Sequence, residues 1–141
     1  MLRFDLERAV LEGELPVADL PAAWDERFEQ DFGLRPPNAA AGALQDIHWS
    51  AGLVGYFPTY TLGNLYAAPL MAAAERRLGD LDRQFAAGDF APLLGWLRSE
   101  IHAAGRMLAS DPLVERATGM PVSADWLADS LRRRYGPAHG L

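Results

Sequence analysis

Cysteine is absent from this chain of 141 residues, which excludes disulfide bonds, thiolate metal sites and cysteine nucleophiles. We therefore expect a cytoplasmic protein. The first residues, "MLRFDLERAVLEG", mix charges into their apolar positions, so they do not have the pattern of a signal peptide. Uninterrupted apolar runs long enough to span a bilayer are also missing, and we expect no membrane partner.

Positive charge is scarce as well. The chain has 13 Lys and Arg against 19 Asp and Glu, a formal net charge of -6. This is the wrong sign for a general binder of nucleic acid or anionic membranes. The one cationic run, Arg132 to Arg134, is interpreted as the solvated end of a helix, where cations stabilise the negative end of the helix dipole. We expect no nucleic-acid partner.

The alternation of apolar and polar residues that marks strands is almost absent, whereas apolar residues recur at helical spacing. The sequence therefore predicts an all-α fold, a compact multi-helix domain. Its length suits one domain with a sizeable core and is too short for two, so residues 1–141 are expected to form a single helical domain.

Capping and stop signals predict where the helices lie. A proline inside the third helix, Pro69, removes a backbone donor and predicts a kink. The apolar residues Leu62, Leu65, Tyr66 and Leu70 are expected inside. The predicted helices end before Gly13, run from about Asp19 to Gly33, and then cover residues 58–78, 81–87, 90–107, 111–118 and 123–135.

Catalytic motifs are few. The chain has 3 histidines, and none lies in an HExxH pair that could hold zinc. Glu100 and His102 are two apart and point to different sides of a helix, while His139 lies in a tail rich in Gly and Pro. No catalytic triad, P-loop or dinucleotide motif is found, so these patterns nominate no catalytic residue and no metal ligand.

Polar and aromatic side chains are concentrated in "GALQDIHWSAGLVGYFPTY", residues 42–60. One interpretation is structural: Gln45, Asp46 and His48 form a satisfied polar network that ties a loop to the core, and the aromatic residues fill that core. The other is functional: an imidazole and a phenol on a Gly-rich turn and helix start donate to a carbonyl as it becomes an oxyanion. Spacing alone leaves both open.

The stretch "GALQDIHW" fits the GxxQDxHW signature, with Gly42, Gln45, Asp46, His48 and Trp49 in place. On these residues the chain resembles the thermostable carboxypeptidase family, the HExxH-type zinc carboxypeptidases. Similar stretches before and after the signature, among them "LRFDLERAVLEGELPVADLPAAW" and "GDFAPLLGWLRSEIH", extend the resemblance over essentially the whole chain.

The resemblance implies an all-helical fold. Family members bind one zinc or cobalt ion and remove single C-terminal amino acids from peptides. Their HExxH motif, the further glutamate ligand and an IRxxAD motif lie upstream of the part that this chain resembles, and none is present here. The chain therefore looks like the C-terminal portion of such an enzyme standing alone, and we expect no metal cofactor. Pro69 departs from the polar residue expected at that position.

The resemblance also implies a role for the polar stretch as one wall of a substrate groove. His48 and either Tyr56 or Tyr60 would contact the scissile carbonyl or the terminal carboxylate, with Gln45 and Asp46 fixing the loop. Trp49, the last residue of the signature, is also expected to line the substrate groove.

Three functions remain open. The first is a non-catalytic, carboxypeptidase-related protein that acts in binding or regulation, with peptide C-termini as candidate ligands. The second is one half of a split enzyme completed by an HExxH-bearing chain, and the third is a degenerate remnant with a fold and no selected function. The runner-up from another class is a helical interaction module without a peptide site. Because helices in this part lack the cover of the metal-bearing half, we also expect association, most simply a homodimer.

Overall fold

The computed structural model describes residues 1–45 and 47–140, and within them every regular element is a helix. The all-α prediction is confirmed. Contacts group the chain into two units, Met1–Thr61 and Leu62–Leu141; the expectation of a single domain stays a prediction. The α-helices are α1 Leu2–Leu11, α2 Leu20–Phe32, α3 Pro58–Leu78, α4 Leu81–Ala86, α5 Ala91–Glu100, α6 Ser110–Thr118 and α7 Ala124–His139, with short 3-10 turns at Val17–Asp19 and His102–Ala104.

The first unit is built on the packing of α1 against α2. Trp24 of α2 is 1% exposed and stacks on Phe28, with the ring centroids 4.7 Å apart. Gly33 ends α2 in the left-handed conformation, at φ 68°, a backbone region that glycine enters without steric cost. Asp19 holds the N-cap position, but its side chain makes no capping hydrogen bond, because a 3-10 turn leads into the helix.

The second unit buries mainly small residues. In α3 the buried positions of this unit are Pro69, Ala73 and Ala74. Leu65, Tyr66 and Leu70 are half-buried. The prediction that Leu62 lies inside is wrong, since it is 43% exposed. The helix continues through Pro69, and its kink stays a prediction.

Two helix ends differ from the prediction. The helix predicted to reach residue 107 ends at Glu100, after which Ile101 has φ -112° and a 3-10 turn follows. At this end Arg116 Nη2 donates to the Glu100 carbonyl at 2.9 Å. This hydrogen bond supplies the donor that another turn of helix would otherwise have provided. The short turn itself ends at Gly105, with φ 54° and ψ -123°.

The last helix runs further than predicted, to His139. Ser123 caps its start, as expected, by accepting from the Asp125 backbone N–H at 3.1 Å. Gly136 and Pro137 do not stop it. The fixed φ of proline is compatible with a helix, and the missing N–H removes only one backbone hydrogen bond. Gly140, at φ 70°, ends the helix instead. No helix among the described residues combines the length and the apolar character that a membrane crossing requires.

The pKa of Tyr66 reports on a hydrogen bond that links α3 to α6 in the second unit. Its Oη donates to Asp111 Oδ1 at 2.7 Å, and this hydrogen bond is the main reason that the pKa of Tyr66 is raised. A raised folded-state pKa means that the bond stabilises the fold below the ordinary tyrosine pKa of about 10. That contribution is lost as the pH rises through the folded pKa.

We therefore expect Asp111→Ala to lower the pKa of Tyr66 towards its ordinary value, because the acceptor and its negative charge are both removed. The measurement is a pH titration of ring resonances in ¹³C-tyrosine-labelled protein. Asp129→Ala, which removes a carboxylate paired with Arg132 in α7, is the control and should leave the Tyr66 pKa unchanged. An unchanged pKa in Asp111→Ala would contradict the assignment.

Candidate functional site

A histidine and a tyrosine from the polar stretch meet on the surface of the first unit. His48 Nε2 and Tyr60 Oη are 2.9 Å apart, a hydrogen-bond distance. His48 lies in a series of turns before α3, and its carbonyl accepts from the Leu53 backbone N–H at 2.9 Å. Tyr60 lies in the first turn of α3 and is 55% exposed. The start of a helix therefore holds the phenol against a turn that holds the imidazole.

The chemistry of this pair follows from where the proton sits. When Nε2 carries a proton it donates to Tyr60 Oη, and the phenol O–H is left to donate to another oxygen. When Nε2 is unprotonated, Tyr60 donates to it instead. In the first arrangement the pair presents a hydrogen-bond donor to solvent, suited to a carbonyl or carboxylate oxygen.

Two further rings surround the imidazole. The centroids of Tyr56 and Phe57 lie 5.5 and 5.0 Å from that of His48. Tyr56 lies just before α3 and Tyr60 in its first turn, and their rings meet edge to face at 5.4 Å. The structure thus brings together the three residues His48, Tyr56 and Tyr60 that the resemblance nominated.

A buried carboxylate lies beneath the loop. Glu7 of α1 is 6% exposed. Its Oε2 accepts from the Trp49 indole Nε1–H at 2.9 Å, and its Oε1 accepts from the Gly55 backbone N–H at 2.7 Å. Hydrogen bonds to a charged acceptor are roughly twice as strong as neutral ones. The carboxylate therefore ties Trp49, the residue after His48, and Gly55 to the first helix.

Gly55 suits this role because it adopts φ 81°, a conformation that side chains rarely enter. The signature glycine, Gly42, lies close to α2. A Cβ at Gly42 would lie 2.9 Å from Asp25 Oδ1 and 3.4 Å from the Asn38 carbonyl, so the Asp25 side chain would have to shift to admit a larger residue.

The other nominated residues have different positions. Trp49 is an anchor of the loop through Glu7, and its ring meets Phe57 edge to face at 5.5 Å. Gln45 is exposed, and the hydrogen bond it makes is from its backbone N–H to the Gly42 carbonyl at 3.1 Å. Asp46 lies outside the described residues.

A cation lies among the rings of the core. The guanidinium carbon of Arg3 is 5.7 Å from the Trp24 ring centroid and 5.6 Å from that of Phe57. Cation–π attraction of this kind is strengthened away from water. Because Arg3 and Glu7 are one turn apart on α1, that helix contributes both charges to the support of the loop.

Over 1–45 and 47–140, no three His, Asp or Glu side chains are grouped as metal ligands. The exposed His102 lies in the 3-10 turn after α5, and the exposed His139 lies at the end of α7. A zinc site of the family type needs at least three protein ligands.

Comparison with known proteins identifies the family. Residues 1–135 match the family described as Carboxypeptidase Taq (M32) metallopeptidase. Thermostable carboxypeptidase 1 of Thermus thermophilus is 46% identical over 140 residues, which are 99% of this chain and 28% of that protein. Thermostable carboxypeptidase 1 of Pyrococcus furiosus is 36% identical over 135 residues, which are 96% of this chain and 27% of that protein.

Comparison with solved structures points to the same family. The M32 carboxypeptidase of Deinococcus radiodurans superposes with a TM-score of 0.89 at 44% identity, covering 99% of this chain and 28% of that one. The chain belongs to the M32 carboxypeptidase family. It spans little more than a quarter of the length of the relatives that it matches.

Glu7 is the residue that sequence reasoning missed. It is separated from Trp49 by 42 positions and from Gly55 by 48, so no local spacing connects them. In the sequence it is one of several acids around α1, and nothing distinguishes it from the exposed Glu12. The tertiary contact alone reveals it.

Glu7→Gln should destabilise the protein by about 1–3 kcal/mol, because an amide can accept one of the two hydrogen bonds but turns an N–H₂ towards the other donor. Urea unfolding followed by tryptophan fluorescence measures the change. Glu12→Gln is the matched control. Its carboxylate pairs with Arg8 at 3.3 Å on the surface, with side-chain exposures of 62% for Arg8 and 49% for Glu12. Loss of this exposed ion pair should lower the free energy of unfolding by less than about 1 kcal/mol. Equal stability of the two variants would contradict the role of Glu7.

Proposed function

We propose that this chain binds the C-terminal end of a peptide at the His48–Tyr60 pair and acts as a non-catalytic binding or regulatory protein of the carboxypeptidase family. The observation that carries the proposal is the 2.9 Å contact between His48 Nε2 and Tyr60 Oη on an exposed surface. A terminal carboxylate or a carbonyl oxygen is the acceptor that this donor suits.

Several features support binding at this place. The Glu7 carboxylate holds the turn in position before any ligand arrives, so little ordering cost is left for the binding step. Tyr56 adds an aromatic edge beside the pair, at 5.4 Å from Tyr60. By resemblance, His48 and one of the two tyrosines face the substrate in the family, and both tyrosines lie beside the imidazole in this chain.

The absence of catalysis is part of the proposal. Hydrolysis of a peptide by a metallopeptidase requires an activated water and a polarised carbonyl. The sequence contains no HExxH, and the described residues gather no three metal ligands. Hydrogen-bond donors stabilise a developing oxyanion, but they do not generate the nucleophile. We expect the purified chain to bind peptides and to release no C-terminal amino acid.

The hydroxyl of Tyr60 provides the test. Tyr60→Phe should weaken binding of N-acetyl-Ala-Ala-Phe about 10-fold or more, the value of one hydrogen bond to a charged group. Calorimetry measures the affinity, and amino-acid release is assayed in the same samples. Tyr135→Phe removes a hydroxyl from a tyrosine of α7 that is 53% exposed, and it should bind as the unaltered chain does. Unchanged affinity in Tyr60→Phe, or metal-dependent release of phenylalanine, would contradict the proposal.

A second candidate is one half of a split carboxypeptidase, and the exposed apolar surface of the first unit favours it. The first unit exposes many large apolar side chains, and exposed apolar surface of this kind marks sites where another protein binds. They are Met1, Leu11, Val17, Phe32, Leu34, Leu44, Ile47, Leu53, Val54, Tyr56 and Tyr60. A complementary chain that carries HExxH would cover such residues, and so would a second copy in a homodimer.

A mixing experiment separates these partners. The chain is combined with the part of the Thermus carboxypeptidase that lies outside the matched region. The split-enzyme candidate expects a one-to-one complex in sedimentation and zinc-dependent release of C-terminal amino acids. A homodimer of this chain that excludes the added polypeptide would remove that candidate and favour self-association.

A further inference from the structure

The second unit contains a cavity of about 450 Å³ whose wall carries charges of both signs. Arg76 and Arg77 line it from α3, Trp96 and Glu100 line it from α5, and Thr118 lines it from the end of α6. Small molecules bind in clefts of about 300–1,000 Å³ that combine apolar surface with a few polar groups. The cavity has this size, and its wall shares no residue with the peptide site proposed above.

The guanidinium of Arg76 is held in place by the buried end of α6. Its Nη2 donates to the Thr118 carbonyl at 3.1 Å, and the Thr118 hydroxyl donates in turn to the Val114 carbonyl at 2.8 Å. Thr118 and Val114 are both buried. Because a guanidinium has five N–H donors, most of them remain for a ligand after this one contact. Little ordering of the Arg76 side chain is therefore needed when a ligand binds.

Two other charges of this wall have no charged partner in the described part of the chain. Arg77 makes no hydrogen bond or ion pair with any described residue. The Glu100 carboxylate accepts one long hydrogen bond there, from Ser99 Oγ at 3.4 Å, and Arg116 binds the Glu100 backbone carbonyl instead of the side chain. A carboxylate and a guanidinium that line one cavity without pairing complement a ligand that has both an ammonium group and a carboxylate.

We propose that this cavity binds a free α-amino acid as its zwitterion. The ligand carboxylate accepts from Arg76 and Arg77, since the planar guanidinium matches carboxylate geometry. The ligand ammonium donates to Glu100, and an apolar or aromatic side chain packs against the half-buried indole of Trp96. A simple carboxylate would leave Glu100 without its donor, and a simple amine would leave both guanidiniums without their acceptor.

Three small molecules that differ by one charged group test the assignment. They are phenylalanine, 3-phenylpropionate, which lacks the ammonium, and 2-phenylethylamine, which lacks the carboxylate. Each is titrated into the ¹⁵N-labelled full chain, and the affinity is measured by NMR. Phenylalanine should bind about 10-fold more tightly than either analogue, because each analogue loses hydrogen bonds between charged groups. The indole N–H resonance of Trp96 should shift, whereas that of Trp24, which is buried in the first unit, should not.

Substitutions assign each charge of the ligand to its partner. Glu100→Gln should abolish the preference for phenylalanine over 3-phenylpropionate, and Arg77→Gln should reduce the preference over 2-phenylethylamine. Neither side chain is in an ion pair with a described residue, so both variants should unfold at the temperature of the unaltered chain.

The matched controls are Arg98→Gln and Glu115→Gln. They remove exposed charges of the same signs from α5 and α6, at positions that do not line the cavity. Both control variants should keep both preferences.

The outcomes separate this inference from the proposed function. Equal affinity for the three ligands, or unchanged preferences in Glu100→Gln and Arg77→Gln, would overturn the amino-acid site. Shifts confined to the resonances of His48 and Tyr60 would also overturn it, because phenylalanine would then bind at the peptide site. If phenylalanine does not bind at all, the inference falls and the proposed function stands, since the N-acetylated peptide that tests that function has no free ammonium group.

Discussion

The buried carboxylate of Glu7 is the interaction on which the candidate site depends. It accepts from the Trp49 indole at 2.9 Å and from the Gly55 backbone at 2.7 Å, at two points of the loop that follows His48. A charge with 6% exposure is stable only if such donors satisfy it. The pairing therefore selects one loop conformation, and that conformation places the imidazole within reach of Tyr60 at the start of α3.

Most of the helical framework could be predicted from the sequence, because helix spacing, caps and stop glycines are local signals. The bounds of α3 and the end of α2 at Gly33 follow from them. The end of α5 could not be predicted, since an arginine of α6 satisfies the Glu100 carbonyl. The continuation of α7 past Pro137 could not be predicted either, because it depends on whether the helix tolerates the loss of one backbone hydrogen bond. Within the site, the resemblance indicated His48 and the tyrosines, whereas Glu7 acts over more than 40 positions, outside any local pattern.

Family membership and function are separate matters here. The M32 match covers residues 1–135, yet the chain spans 28% of the Thermus relative. Within the described residues, the first unit brings His48 Nε2 and Tyr60 Oη together at 2.9 Å. Grouped metal ligands, the means of activating water, are not found among the described residues.

The most direct test of this account is hydrogen exchange at two donors, the Gly55 amide and the Trp49 indole N–H, followed by NMR in the ligand-free protein. Because both donate to the buried Glu7 carboxylate, they should exchange slowly, like the amides within α1. Exchange as fast as in an unstructured peptide would mean that the turn is not held before a ligand arrives, and the positioning of His48 and Tyr60 by Glu7 would be contradicted.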